Sequence, residues 1–327
     1  MTPRASVYVS RRVPAPVRSE LQASFDVSLY DSETPPSRDE LLAAARGRDG
    51  IVTMLSDRVD AELLDAAGPQ LRVVANYAVG YDNVDVGECS RRGVIASNTP
   101  GVLTEATAEL TMALLLSLVR RVTEGDRLLR RREPWIWAPT HLLGTGLRGR
   151  TLGVVGLGRI GSEVGRLAEA FGMHVVYTDE APRAGVSWEY LSFDELIARA
   201  HVVTLHCPLT PETRHLIDRD VLSAMRRDAF LVNSSRGPVI DEEALADALI
   251  AGELAGAALD VFEREPEIAE RLLECENAVL APHLGSATHE AREAMGMLCV
   301  SALRAVLHEG RAPENALNAS VLAETTP

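Results

Sequence analysis

Short β-branched runs alternate with helix-forming stretches along almost the whole chain, and this alternation constrains the fold more than any other feature. Runs so arranged are joined by crossover helices, which gives parallel sheets in an α/β architecture. A first series places strands at 7–9, 27–30, 51–55, 73–76 and 94–96. Helices fit between them, including 37–46, where Ser37 and Glu40 have the spacing of a capping box. A second series runs through 151–155, 175–178, 202–206, 230–233, 257–260 and 279–281. Two such sheets imply two domains, and 327 residues suffice for each to bury its own core.

Between the two series an apolar pattern from 104 to 129 reads as one long helix. An irregular stretch follows, 133–149, holding Pro134, Trp135, Trp137 and Pro139. A projecting arm rich in aromatics is a candidate subunit contact. The last helix, about 287–308, has no sheet of its own left to cover, so the economical solution returns it to the first domain. The chain then crosses between domains near 97–101 and again near 282–286. Domains of 1–98 plus 287–327 and of 99–286 follow, the second including the arm at about 120–149.

Composition removes whole classes of function. Basic residues number 33 against 47 acidic, a net charge of −14, which disfavours nucleic acid and anionic membrane surfaces as partners. All 33 basic residues are arginine; without lysine there is no Schiff-base chemistry and no lysine-dependent phosphate loop. The most apolar stretch, around 110–119, is too short to cross a bilayer, and residues 1–16 offer no signal-peptide core. Cys89, Cys207, Cys275 and Cys299 are scattered, with neither metal spacing nor a disulfide framework; no metal site and a reducing cytoplasm are expected.

The sharpest local pattern is the run 151–155 followed by Gly156-Leu157-Gly158-Arg159-Ile160-Gly161 and a helical stretch to Gly172. G-x-G-x-x-G alone is a weak signal, but here it follows a buried strand and opens a helix. Gly156 suits the tight turn, Gly158 the close approach of a pyrophosphate, and Gly161 close helix–strand packing. Free N–H groups at the helix start would hold the anion. Asp179 stands 18 residues beyond Gly161, about where a carboxylate bonds the adenine ribose and repels a 2′-phosphate. NAD is therefore expected over NADP, although Arg183 lies four residues on.

A nicotinamide enzyme that reduces a carbonyl needs a cation for the substrate carboxylate and a proton donor for the developing alkoxide. Both should lie where strands end, outside the carboxyl edge of the sheet. Three loops qualify, and they place Arg236, Glu265 and His283 as candidates.

With these residues in view, the chain resembles the D-isomer-specific 2-hydroxyacid dehydrogenases, most closely the glyoxylate/hydroxypyruvate reductase (glycerate dehydrogenase) branch. The likeness spans nearly the whole length. It is carried by Val73-Val74-Ala75-Asn76-Tyr77-Ala78-Val79-Gly80-Tyr81-Asp82-Asn83, by Asn98-Thr99-Pro100-Gly101, and by the Gly156 to Gly161 loop. Further on it includes Ser235-Arg236-Gly237, Leu259-Asp260-Val261-Phe262 and Pro282-His283-Leu284-Gly285-Ser286.

The resemblance implies two Rossmann-like, flavodoxin-like domains with a cofactor cleft between them, a substrate-binding domain and an NAD-binding one. It implies that Arg236 grips the 2-oxoacid, that His283 is the acid/base, and that Glu265 is its partner, favouring imidazolium. Beside the glycine loop and Asp179, it implies that Thr107, Cys207, Pro208, Thr213, Ser234, Ser235, Asp260 and Gly285 line the cofactor site. Met54, Val79, Gly80 and Ser286 would meet the substrate, and Trp137 would enter the pocket of a second subunit in a homodimer. Phosphite-oxidising relatives carry a lysine where this chain has Ala78-Val79-Gly80, and formate dehydrogenases a glutamine in place of Glu265, so neither substrate is expected. The competing assignments are another D-2-hydroxyacid dehydrogenase, such as one for D-3-phosphoglycerate, and an NAD-sensing corepressor-like protein.

Overall fold

A computed structural model describes residues 4–323; positions 1–3 and 324–327, the two ends of the expected substrate-binding domain, lie outside the described residues. The chain divides into two compact units, one drawn from Met1–Leu103 and Ala287–Pro327, the other from Thr104–Ser286.

In the first unit, strands β1 (Ser6–Val9), β2 (Asp26–Leu29), β3 (Gly50–Thr53), β4 (Val73–Asn76) and β5 (Ile95–Ser97) form one parallel sheet in the order β2-β1-β3-β4-β5. β3 and β4 are buried throughout, as strands covered by helices on both faces must be. The helix Arg38–Ala45 begins at Ser37 with both reciprocal bonds of a capping box, as its sequence requires. The helix His289–Leu307 covers this sheet, packing on β4 and on the helix Ala15–Ser24. Gly296 makes that approach possible: a Cβ there would stand 2.4 Å from Val17 and 2.7 Å from the Tyr77 hydroxyl.

In the second unit, β6 (Thr151–Val155), β7 (His174–Thr178), β8 (Glu189–Tyr190), β9 (Val202–Leu205), β10 (Phe230–Asn233), β11 (Gly256–Leu259) and β12 (Ala278–Leu280) form a parallel sheet ordered β12-β11-β10-β9-β6-β7-β8. This is the doubly wound nucleotide-binding order with one strand added, and it reverses between β6 and β9. β8 has only two residues and leaves no periodic mark in the sequence.

The single helix expected from 104 to 129 is two, Thr104–Val119 and Val122–Arg130, parted at Arg121 with φ 55°. The break has a tertiary cause. Thr145 N–H takes the Val119 carbonyl at 2.7 Å, and Gly144 lies so close that a Cβ would be 2.5 Å from that oxygen. The acceptor needed to continue the helix is thus occupied by chain returning from the arm. On the arm Trp135, Ile136 and Trp137 are 60%, 79% and 80% exposed. All four cysteines are free and buried. Among the described residues no helix is long and apolar enough to cross a membrane, and no cluster of candidate metal ligands occurs.

Candidate active site

The reversal of strand order between β6 and β9 opens a crevice at their carboxyl ends, and the glycine loop fills one side of it. Gly156 has φ +90°, and a Cβ there would lie 2.7 Å from the Cys207 nitrogen, so only glycine lets these two turns touch. Gly161 is equally confined, its missing Cβ 2.3 Å from the Gly156 carbonyl oxygen. Gly158 differs. Nothing lies within 4 Å of where its Cβ would be, which is the room a pyrophosphate needs at a helix start. Leu157 is buried, Ile160 packs against the core, and exposed Arg159 begins the helix Arg159–Ala170.

Asp179 follows β7 and bonds the loop directly: its Oδ2 accepts the Leu157 N–H at 2.9 Å. The same oxygen receives Arg183 Nε at 3.0 Å, and its Oδ1 the Glu180 N–H at 2.8 Å. Burial pushes this carboxyl up, but Arg183 and the two N–H groups outweigh it and hold Asp179 below the usual carboxylate range. Arg183 is itself tethered, its N–H donating to the Tyr177 hydroxyl at 2.8 Å. Across the crevice Thr213 Oγ1 donates to the Pro208 carbonyl at 2.6 Å and accepts the Thr210 N–H at 2.8 Å, which closes the turn after Cys207.

The next strand ends carry the candidate reactive groups. Asn233, fully buried at the end of β10, accepts the Ser235 N–H and hydroxyl at 2.9 and 2.8 Å and donates to the Arg236 carbonyl at 2.9 Å. It shapes the turn that presents Arg236. Ser234 shares a 2.7 Å hydrogen bond with Thr111, whose hydroxyl also reaches the Thr107 carbonyl.

Asp260, at the end of β11 and 1% exposed, accepts the N–H groups of Leu284 and Gly285 at 2.6 and 2.7 Å. Its own carbonyl accepts the His283 N–H at 2.8 Å. A Cβ on Gly285 would meet both Asp260 and Thr107, so these three expected cofactor residues converge. His283 is held at φ 54°, and its Nδ1 lies 2.8 Å from Glu265 Oε2. Glu265 Oε1 accepts the Phe262 N–H at 3.0 Å. Burial raises the Glu265 carboxyl, but His283, the Phe262 N–H and the charge of Arg236 together carry it below its ordinary value.

Apart from Trp137, the expected residues of the second unit lie in loops at the carboxyl edge of its sheet or, like Thr107, Arg159, Ile160 and Gly161, in the first turns of the helices Thr104–Val119 and Arg159–Ala170, with Ser286 half-buried at the end of the last loop. Trp137 lies on the exposed arm. In the first unit Met54, Val79 and Gly80 follow β3 and β4. Met54 is pinned through its N–H to Asp57 (2.7 Å) and its carbonyl to Asn83 (3.0 Å). The carbonyls of Val79 and Gly80 are held by Asn98 and Asn76 at 2.7 and 3.0 Å. Asn233 and Thr111, which hold the Arg236 turn and Ser234, are not singled out in the sequence; for Asn233 the one signal is a polar residue closing an apolar run.

These residues fit a nicotinamide dinucleotide: an open glycine at a helix start, a carboxylate after the second strand, and a histidine paired with a carboxylate in the same group of loops. When bound, that cofactor supplies or accepts a hydride. Fold and site define an oxidoreductase that works with such a cofactor.

Residues 112–285 match the family described as "D-isomer specific 2-hydroxyacid dehydrogenase, NAD binding domain". A glyoxylate reductase of Thermococcus litoralis is 43% identical, covering 99% of this chain and 100% of its own. The solved TT0316 protein of Thermus thermophilus is 44% identical with a TM-score of 0.90, over 95% of this chain and 99% of its own. An NADPH-dependent glyoxylate/hydroxypyruvate reductase of Sinorhizobium meliloti, solved with NADP and malonate, is 34% identical with a TM-score of 0.83, covering 96% and 97%. The chain belongs to the D-isomer-specific 2-hydroxyacid dehydrogenase family.

Proposed function

We propose that the protein reduces glyoxylate and hydroxypyruvate to the corresponding 2-hydroxyacids (the D-isomer where one exists), and catalyses the reverse oxidation. The observation that carries this is the 2.8 Å contact of His283 with Glu265, in a chain whose relatives include glyoxylate reductases. Arg236 binds the carboxylate and carbonyl oxygens of the 2-oxoacid, and its charge opposes the negative charge that grows on the carbonyl oxygen. His283 gives its proton to that oxygen while the carbon gains the hydride, and takes it back in oxidation. Glu265 orients the ring through Nδ1. Val79 and Gly80 offer backbone groups to the carboxylate, and Met54 and Ser286 border the substrate.

The finer reading of the cofactor is NAD. Asp179 supports it by placing a carboxylate where a 2′-phosphate would sit, while the Arg183 ion pair weakens that repulsion. The apolar, exposed arm supports a homodimer in which Trp137 closes the substrate pocket of the second subunit and favours small polar 2-oxoacids. Four free cysteines suit a reducing cytoplasm.

An initial-rate panel of 2-oxoacids with NADH and with NADPH tests the proposal. Glyoxylate and hydroxypyruvate with NADH should give the highest kcat/KM. A preference for branched or aromatic 2-oxoacids, or no turnover of any, overturns it.

A further inference from the structure

Glu242 is the first residue of the helix Glu242–Ile250, and it is 5% exposed although most glutamates at such positions are solvated. A buried carboxylate needs donors, and this one finds them on a single loop. Its Oε1 accepts the Glu263 N–H, and its Oε2 the Ala269 N–H at 3.4 Å. Those two amides flank Glu265. The bonds the loop makes within itself, Phe262 N–H to Glu265 and Glu267 N–H to the Arg264 carbonyl, fold it but do not tie it to the scaffold. Burial pushes the Glu242 carboxyl up, against the two N–H groups, so the group is held there at a cost.

Two further contacts fix the same loop. Gly237, next to Arg236, is pressed so tightly on it that a Cβ would fall 1.8 Å from the Phe262 carbonyl oxygen. His215 Nε2 meets Glu263 Oε1 at 2.8 Å. The loop carrying Glu265 is thus gripped from the Arg236 turn on one side and from the helix start on the other.

We propose that Glu242 is a positioning residue for the acid–base pair: its carboxylate clamps both sides of the Glu265 loop and so sets the Glu265–His283 contact. The inference rests on the functional reading above, which gives that contact its role. A clamp of this kind matters because a displacement of about 1 Å in a reacting group can lower a rate a hundredfold. The charged groups that face His283 are Glu265 and Asp260, and Arg236 faces Glu265. Glu242 acts on them only through the loop backbone.

The test compares Glu242→Ala, Glu242→Gln and Glu242→Asp with Glu243→Gln, a change at the exposed neighbouring carboxylate. In glyoxylate reduction, Glu242→Ala should lower kcat roughly tenfold to a hundredfold with KM for NADH unchanged. Its alkaline fall in kcat should move to lower pH, in the direction Glu265→Gln moves it. Glu242→Gln, which keeps a carbonyl oxygen for the Glu263 N–H, should restore most of both. Glu242→Asp, whose carboxylate is withdrawn by one methylene, should show a smaller loss of the same kind, and Glu243→Gln should match wild type. In the substrate-free protein, the His283 imidazole resonances should shift in Glu242→Ala relative to wild type, because the 2.8 Å contact with Glu265 is displaced. That signal needs no turnover, so failure to reduce glyoxylate would count against the function and not against the clamp. The inference is overturned if Glu242→Ala lowers only the melting temperature and leaves kcat, its pH midpoint and the His283 resonances at wild-type values. Should the alanine variant not fold, the same result with Glu242→Asp overturns it.

Discussion

The two sheets reverse their strand order in the same way and use the resulting crevice differently. In the first sheet the reversal falls between β1 and β3, and protein side chains occupy it. The Ser10 hydroxyl, fully buried beyond β1, donates to Asp57 beyond β3; Asp57 also accepts the Met54 N–H, with Arg11 3.7 Å away. In the second sheet the reversal falls between β6 and β9, and glycines keep it open. Gly156 lets the turns touch, and Gly158 leaves space in front of the helix start. Topology provides a crevice in both; the side chains of the two loops decide whether it admits a ligand or is closed by the protein itself.

Substitutions on each side can break or sharpen this contrast. The largest effect on cofactor binding is expected at Gly158, where alanine meets no protein atom and the backbone is already extended. Gly158→Ala should leave the melting temperature intact yet weaken NADH binding, read by fluorescence titration, roughly a hundredfold, because a methyl group holds the pyrophosphate off the charge-assisted N–H donors. Equal binding by the variant would mean that the space serves no ligand.

In the first sheet Asp57→Ala should do the reverse. It orphans the buried Ser10 hydroxyl and should reduce unfolding free energy by about 1–3 kcal/mol in urea titrations, with NADH affinity unchanged. Asp179→Ser should raise the ratio of NADPH to NADH kcat/KM by roughly tenfold, as one like charge is removed and Arg183 remains. It should also slacken the loop, since Leu157 loses its acceptor.

The smallest change in rate is expected for Glu265→Gln, which acts mainly on pH dependence. His283 Nδ1 lies 2.8 Å from Glu265 and helps hold its carboxyl low, so at neutral pH a negative charge sits beside the ring. A neutral amide removes that charge from the pair, and the alkaline fall of reductive kcat should shift downward. An unmoved pH profile would remove Glu265 from the mechanism.

What could be read in the sequence was whatever is local. Strands buried on both faces are continuous apolar runs, and the glycine loop carries its constraint within six residues, so β6 and its turn were legible together. The Ser37 cap was legible for the same reason. The helix break at Arg121 was not, because its cause is Thr145, reached only after the arm returns. Asn233 and Glu242 were hidden in the same way: each looks like an ordinary polar residue at the end of a strand or the start of a helix. Their importance comes from backbone groups that the fold brings to them. Trp137 stands out in the sequence, whereas the single chain leaves it 80% exposed on the arm.

The central claim is that the loops of the second sheet separate cofactor binding from proton transfer, the first belonging to the Gly156–Asp179 side and the second to His283. Measuring kcat and NADH affinity together in His283→Asn tests it most directly. The account predicts that kcat for glyoxylate falls about a hundredfold to ten-thousandfold while the dissociation constant for NADH stays near wild type. Turnover within a few-fold of wild type, or a loss of NADH binding that matches the loss of rate, would contradict it.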